Sequence, residues 1–267
     1  MNGQQGGLQS VQATMLIPLW GRSHLSRLYP DILNDLEAIR IVDGSAYDFS
    51  AIERTYGQYG GLSCVMRARL IDMRVRAYSA RYPQGTVVNI GAGLDTTFSR
   101  VDNGAMRWYN LDLPNAIAYR QTLIAPRARS VDLAQSMFDY AWMDELPVRG
   151  DEPVLLVAGG VFWYFEKEQV RELIQRMVVR IPRGELFFDA ASPFGMRFAN
   201  RKVRKSGNKD AQMHFSLRGP SELEAWSPHI HTAEFQTFWG SMKRDARWHL
   251  STRMTMYLCD LGRFAGF

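Results

Sequence analysis

Two short stretches carry residue types that could do chemistry together. VVNIGAGLDT, residues 87–96, runs an apolar, β-branched segment into Gly91, Ala92 and Gly93, and YNLDLP, residues 109–114, ends a second such segment on Asp112. A glycine turn at the end of a strand lets a ligand approach the backbone where a Cβ would collide. Asp112 lies 19 residues beyond Gly93, where a carboxylate can accept hydrogen bonds from both hydroxyls of a ribose. The pair predicts a seat for an adenosine-containing cofactor. A dinucleotide fingerprint would place a third glycine three positions after Gly93, and Thr96 stands there instead. On spacing alone NAD and S-adenosylmethionine fit comparably, and a plain tight turn beside an exposed Asp is the bland reading.

The flanking sequence says which elements must position these residues. Between Thr86 and Ser192 the apolar runs TVVNI, MRWYNLDL, ARSVDLA, PVLLVAG and ELFFDAA alternate with helical stretches around Asn115–Ile124 and Lys167–Val179. That alternation predicts βαβ units, hence an α/β fold with a mostly parallel sheet and helices on both faces. From Leu16 to about Pro83 apolar residues recur at spacings of three and four, as in ILNDLEAIRIV and RLIDMRVRAYSARY, which predicts a helical N-terminal cap. Downstream, SELEAW predicts a helix. In the tail, Trp248–Leu258 alternates like a strand, but Leu250, Met254, Leu258 and Leu261 fit a helix, which is the reading taken. The organisation expected is a disordered tip over residues 1–13 and one domain over 14–267. That domain divides into the cap (14–84), a cofactor-binding core (85–192), and a substrate-covering region with the C-terminal tail (193–267).

NIGAGLDT, followed by WYNLDLPNAI, DYAWMDEL, VAGGVFWYFEKEQVRELI and GELFFDAASP, resembles the leucine carboxyl methyltransferase superfamily, in particular its bacterial branch of polyketide-type, tetracenomycin-type O-methyltransferases. The resemblance reaches upstream to TMLIPLWGRS and MRARLIDMRVRAY and downstream to ELEAW, covering about Thr14 to Trp226. It implies a class I methyltransferase with a seven-stranded Rossmann-like sheet that binds S-adenosylmethionine. By similarity, an arginine on a helix before the first strand holds the methionine carboxylate. Arg67 matches that position best and Arg69 second, and a guanidinium can grip a carboxylate with two parallel hydrogen bonds. Gly91, Ala92 and Gly93 would pack against the amino-acid part of the cofactor, Asp112 would hold its ribose and Leu113 would flank the adenine. Ser136 and Met137 match the adenine-edge positions, with Asp132 a rival, and Ala158 and Gly159 would lie beside the methyl donor.

The chain departs from the family pattern in places. Many relatives carry an arginine where Thr97 stands and a glutamate where Gly159 stands, and they continue into a last antiparallel strand where this chain stops at GRFAGF. Either the tail helix is misread or that strand is short or missing. On the substrate side, Trp163, Tyr164 and Phe165 follow the fourth strand, at the end of the sheet where open α/β folds bind ligands. They suit a flat, apolar acceptor, or else ordinary core packing. His214 in MHFSL lies where relatives cover the pocket, as a lone surface residue or a proton acceptor. His229 and His231 have a metal-like spacing but no third ligand nearby, so no metal is expected. Residues Arg197 to Lys209 hold six cations and no acid. Without interleaved aromatics after Phe198 to stack bases, they predict a solvated loop over the active site and not a nucleic-acid surface.

Composition narrows the classes further. A chain of 267 residues with 46% apolar content can bury a large core, and 32 basic against 27 acidic residues leave a formal charge of only +5. Two cysteines make neither a disulfide framework nor a zinc motif, which fits a reducing cytoplasm. The longest apolar stretch, Val154–Phe165, falls well below the roughly 20 residues of a membrane span. The expectation is a cytoplasmic S-adenosylmethionine-dependent O-methyltransferase acting on a small aromatic or polyketide-like acceptor, with no nucleic-acid or membrane partner. Since no base is placed by the sequence, a carboxylic acid, already ionised at neutral pH, is favoured over a phenol. The alternatives are an NAD-dependent oxidoreductase and a catalytically silent adenosine-binding partner protein.

Overall fold

A computed structural model describes residues 5–148, 152–206, 212–240, 242 and 244–266. Its backbone gathers into two compact units, Met1–Met137 and Phe138–Phe267. The first opens with three helices, α1 (Gln5–Leu28), α2 (Leu36–Asp43) and α3 (Ser50–Arg81). They pack because Leu16, Leu19 and Trp20 of α1 share one apolar cluster with Ala38 and Ile41 of α2 and Ile52 of α3. Asp35 caps α2 by accepting the Ala38 N–H at 3.0 Å, and α3 bends at Gly57, which sits at φ 52°. Then follow β1 (Thr86–Ile90), α4 (Thr97–Val101), β2 (Arg107–Asp112), α5 (Pro114–Leu123) and β3 (Ser130–Ala134). The second unit holds α6 (Trp142–Glu145), β4 (Val154–Ala158), a one-turn 3-10 helix over Phe162–Tyr164, α7 (Lys167–Arg180), β5 (Gly184–Phe188), β6 (Ala190–Ala191), α8 (Pro193–Ser206), α9 (Pro220–Glu224), α10 (Leu250–Leu261) and β7 (Ala265–Gly266).

The principal sheet has five strands in the order β3-β2-β1-β4-β5, with parallel pairing in β1–β2, β2–β3 and β4–β5. All five runs expected as strands are strands. Those of β1 and β4 are buried at every position, which is why TVVNI and VLLVA read as unbroken apolar segments, whereas the outer strands β3 and β5 are partly exposed and compositionally mixed. α7 starts on a capping box between Glu166 and Gln169 and buries Val170, Leu173, Ile174 and Met177, one face of a helix.

Three expectations change and one open alternative is decided. The seven-stranded sheet is a five-stranded sheet plus a separate antiparallel pair, β6–β7, in which Ala190 faces Gly266 and Ala191 faces Ala265. That pair stays two residues long because Pro193, two residues on, removes a backbone donor and opens α8. The tail helix is present over Leu250–Leu261, so the last strand is short. The basic stretch is not a loop: α8 runs to Ser206, because Met196 and Asn200 are buried and Asn200 clamps Met213, donating to its carbonyl at 2.7 Å and accepting its N–H at 2.9 Å. Lys209 lies outside the described residues. α1 is helical from Gln5, within the stretch expected as a disordered tip, and residues 1–4 lie outside the described residues. Among the described residues no helix is long and apolar enough to cross a membrane.

Candidate functional site

In the first unit the glycine turn leaves β1 with its backbone pinned to the end of β2. The N–H groups of Gly91 and Ala92 donate to the Leu111 carbonyl at 2.8 and 3.2 Å, and the Gly93 N–H donates to Asp112 Oδ2 at 2.7 Å. Gly91 and Gly93 sit at φ 65° and 43°, conformations that L side chains rarely adopt. A Cβ on Gly93 would also lie 3.2 Å from Met15 Cγ of α1. The other Asp112 oxygen accepts the Leu113 N–H at 2.7 Å. Burial pushes the Asp112 carboxyl up, the two backbone N–H groups oppose this, and it settles above its ordinary value. A carboxylate has about four acceptor positions, so one that holds two N–H groups keeps capacity for hydroxyl donors. Beside it Leu113 is 45% exposed, an apolar side chain left open next to a hydrogen-bonding acid. This arrangement fits an adenosine: the acid for the ribose and the open leucine for the base.

The turn's carbonyls are held by arginines that sequence reasoning missed. Arg120 of α5 donates to the carbonyls of Gly93 at 3.0 Å and Asp95 at 2.6 Å, and Arg22 of α1 donates to Leu94 O at 2.8 Å. A signal for Arg120 exists in the sequence, since it falls at helical spacing with buried Ala116 and Ile117. Arg22 and Arg100 converge on Asp35, which is fully buried, at 3.0 and 2.6 Å, and Arg100 also forms a two-point pair with Asp72 at 2.8 Å per bond. Burial would raise the Asp35 carboxyl, but Arg100, Arg22 and the Thr96 hydroxyl outweigh it and hold it below the ordinary 3.8. Thr96, where a dinucleotide fold needs its third glycine, is buried and donates to Asp35 at 2.5 Å, so a side chain is built into that position. Thr97, where many relatives carry arginine, donates to Asp95 at 2.9 Å and accepts from Arg100 at 2.9 Å.

The two candidate arginine clamps part company on α3. Residues two apart on a helix point about 200° from each other. Arg69 donates to Ile32 O at 2.9 Å and lines a cavity of about 580 Å³ with Asp72, Arg76 and Arg127, whose lining includes neither Gly91–Gly93 nor Asp112. Arg67 acts electrostatically on buried Cys64, whose neighbour across α1 is Gly21. Ser136 and Met137 follow β3, with Met137 buried. Their rival Asp132 is committed elsewhere: its carboxylate accepts from Asn110 and Gln121 at 3.0 and 3.1 Å and lies 3.5 Å from Arg120.

In the second unit Ala158 ends β4 fully buried, opposite Phe188 of β5, and Gly159 and Gly160 turn the chain out of the sheet. Asp189, fully buried just beyond β5, accepts the Gly160 N–H at 2.5 Å and the Trp163 indole N–H at 2.9 Å. It was missed because an acid ending the run ELFFD has no local mark of its role. It also places a carboxylate one residue from Gly159. Trp163 is thereby fixed, Tyr164 is 42% exposed, and Phe165 packs edge-on against Phe138. The N–H groups of His214 and Phe215 both donate to the Trp163 carbonyl, at 2.8 and 3.3 Å. His214 is not a lone histidine: its Nδ1 lies 2.8 Å from Glu166 Oε1.

A mostly parallel five-stranded sheet with a glycine turn after β1 and an acid ending β2 is the frame of an adenosine-cofactor enzyme, and the relatives make it a class I, S-adenosylmethionine-dependent methyltransferase. The fold is shared with a solved structure assigned to the methyltransferases, from Thermobifida fusca, at a TM-score of 0.59 and 14% identity, covering 85% of this chain and 91% of that one. The family model for leucine carboxyl methyltransferase matches residues 36–178, more than half of the chain, which therefore belongs to that family. It is 27% identical over 243 residues to the tetracenomycin polyketide synthesis O-methyltransferase TcmP of Streptomyces glaucescens, covering 90% of this chain and 86% of that protein. It is also 26% identical over 241 residues to the S-adenosyl-L-methionine-dependent methyltransferase dpfgK of Gibberella zeae, covering 83% and 80%.

Proposed function

We propose that the protein is a cytoplasmic O-methyltransferase that transfers a methyl group to a small aromatic or polyketide-like acceptor. The observation that carries this reading is the Asp112 carboxylate bonded to the Gly93 N–H, an acid held against a glycine turn in a chain that aligns over most of its length with a polyketide O-methyltransferase. In the first unit Arg67 would grip the methionine carboxylate, Gly91, Ala92 and Gly93 would lie along the amino-acid part, Asp112 would bind the ribose hydroxyls, and Leu113, Ser136 and Met137 would enclose the adenine. In the second unit Ala158 and Gly159 would border the methyl donor, while Trp163, Tyr164 and His214 would receive the acceptor. Bound S-adenosylmethionine supplies an electrophilic methyl group. The chain's own tasks are to hold the acceptor oxygen in line and to exclude water, and such positioning alone is worth about 7–11 kcal/mol in well-oriented reactions.

A carboxylic acid acceptor, already ionised at neutral pH and needing no base, is favoured over a phenol. Calorimetry with S-adenosylhomocysteine and with NAD tests the cofactor assignment: binding of the first and none of the second is expected. Binding of NAD alone would reinstate an oxidoreductase. Binding of S-adenosylhomocysteine with no transfer of labelled methyl to any oxygen acceptor in an aromatic panel would favour a silent adenosine-binding protein.

A further inference from the structure

Arg69, Asp72, Met73 and Arg76 recur at i, i+3, i+4 and i+7, one face of α3, and together they wall the first unit's cavity of about 580 Å³. The loop from Pro30 into α2, Arg100 of α4 and Arg127 complete it. That volume lies within the roughly 300–1,000 Å³ of small-molecule sites. The charges around it do not balance. Four arginines line it with two acids, Glu37 and Asp72, and each acid is already matched. Asp72 holds Arg100 in the two-point pair at 2.8 Å per bond, and Glu37 accepts from Arg40 at 2.7 Å. Asp35, which Arg100 also holds, is matched in turn by Arg22. Arg127 stands off from Glu37 at 3.6 Å. Arg69 and Arg76 form no ion pair among the described residues, and each spends one N–H on a backbone carbonyl, of Ile32 and of Arg100. A guanidinium has five N–H donors, so both keep most of theirs. Cations gathered around one space repel one another until an anion enters it. Leu36 and Met73 line the same cavity and stay 66% and 52% exposed, so it offers an apolar wall as well. One exposed apolar side chain needs no explanation, but two beside an arginine cluster in one cavity suit a ligand that is part apolar and part anionic.

We propose that this cavity is a second ligand site, separate from the cofactor seat, for a phosphate monoester with a small apolar body. Neither Gly91–Gly93 nor Asp112 lines it, so the two sites can be filled together. The phosphate would lie among Arg69, Arg76 and Arg127, the three arginines without a close carboxylate, and the apolar body against Leu36 and Met73. Guanidinium forks match the oxygens of a phosphate with paired hydrogen bonds. At about pH 7.5 a phosphate monoester is mostly a dianion, because its second pKa is about 6, whereas a carboxylate brings a single charge. Binding at the cavity stands independently of the O-methyltransferase reading; only its separateness from S-adenosylmethionine rests on that reading.

Calorimetry with phenyl phosphate, at about pH 7.5 and about 0.15 M salt, tests it. Saturable binding is expected, with and without S-adenosylhomocysteine. Arg76→Gln and Arg127→Gln should each weaken it roughly tenfold or more, the loss of a charged hydrogen bond. Arg54→Gln, on the same helix but outside the cavity, should leave it unchanged. Inorganic phosphate and benzoate each lack half of the proposed chemistry and should bind at least about tenfold more weakly. Parity of either with phenyl phosphate would overturn the ligand class. A second measurement needs no variant: arginines of the intact protein are labelled with phenylglyoxal and the labelled positions read by mass spectrometry. Phenyl phosphate should shield Arg76 and Arg127, and S-adenosylhomocysteine should shield Arg67. No saturable binding, an equal loss in Arg54→Gln, or displacement of phenyl phosphate by S-adenosylhomocysteine overturns the site. S-adenosylhomocysteine that does not bind at all sinks the cofactor reading and leaves the cavity standing.

Discussion

A side chain at Gly93 meets two separable obstacles: its φ of 43° is left-handed, and Met15 lies close to where a Cβ would point. The left-handed backbone costs an L residue about 1–2 kcal/mol. Gly93→Ala should therefore lose about that much stability in urea unfolding, and calorimetry should show weakened S-adenosylhomocysteine binding as the Asp112 bond is displaced. Gly57, also at positive φ but with open space around it, should accept alanine with no loss of binding. Asp112→Ala and Arg67→Ala should each weaken S-adenosylhomocysteine by roughly 10- to 100-fold, the range of a lost charged hydrogen bond worth about 1.5–3 kcal/mol. Arg69→Ala should change affinity little, because its guanidinium is engaged by Ile32 O. If Arg69→Ala proves the more damaging of the two arginine variants with both folded, the clamp has been assigned to the wrong arginine. Gly91, Gly93 and Asp112 were legible because a glycine turn after one strand and an acid ending the next form a spacing that sequence alone displays. Asp189 also follows a strand, but no such spacing marks its partners, Gly160 and Trp163, 29 and 26 positions away.

At the scale of elements, the turn is positioned by a buried network that ties α1, α2, α3 and α4 together through Arg22, Asp35, Asp72 and Arg100. Replacing both members of a buried pair can be neutral, but removing one strands the other's charge and costs about 3–5 kcal/mol. Asp35→Ala should fall in that range and loosen cofactor binding with it, because Arg22 also holds Leu94 and Arg100 also holds Thr96 and Thr97. The pH dependence has a definite sign. Asp35 titrates below its ordinary 3.8, so its contribution is present above that pH and is lost as pH falls through the lowered value. The stability gap between wild type and Asp35→Asn, followed by urea unfolding, should thus narrow below about pH 3.8. Asp72 and Asp112 run the other way: both are raised by burial, so their contributions are full below 3.8 and are lost as pH rises through their raised values. A gap that widens on acidification would show that Asp35 is not the ionised centre of this network.

For the whole molecule, cofactor binding and folding are linked. A ligand at a hundred times its Kd stabilises the native state by about 2.7 kcal/mol. S-adenosylhomocysteine at that excess should raise the thermal midpoint by roughly 5–10 °C for a chain of this size, and NAD should leave it unchanged. A midpoint shift with NAD equal to that with S-adenosylhomocysteine would mean that buried Thr96 does not exclude a dinucleotide.

The order of the five principal strands was already determined by the sequence, because strands buried on both faces must be continuous apolar runs and the helices between them must repeat every three to four residues. The glycine turn and its acid were likewise local, each decided within a few residues of a strand end. Tertiary structure alone gave Arg69 its partner, the Ile32 carbonyl, 37 positions away. It alone gathered Arg22, Asp35, Asp72 and Arg100 into one network, and placed five of the six cations expected in a loop on a helix by burying Met196 and Asn200. It also gave His214 its carboxylate, Glu166, across 48 positions of sequence. Periodicity and turn chemistry act over a few residues, whereas a buried charge or a side-chain pair is defined by what packing brings within about 3 Å of it, and that distance is set only when distant segments meet.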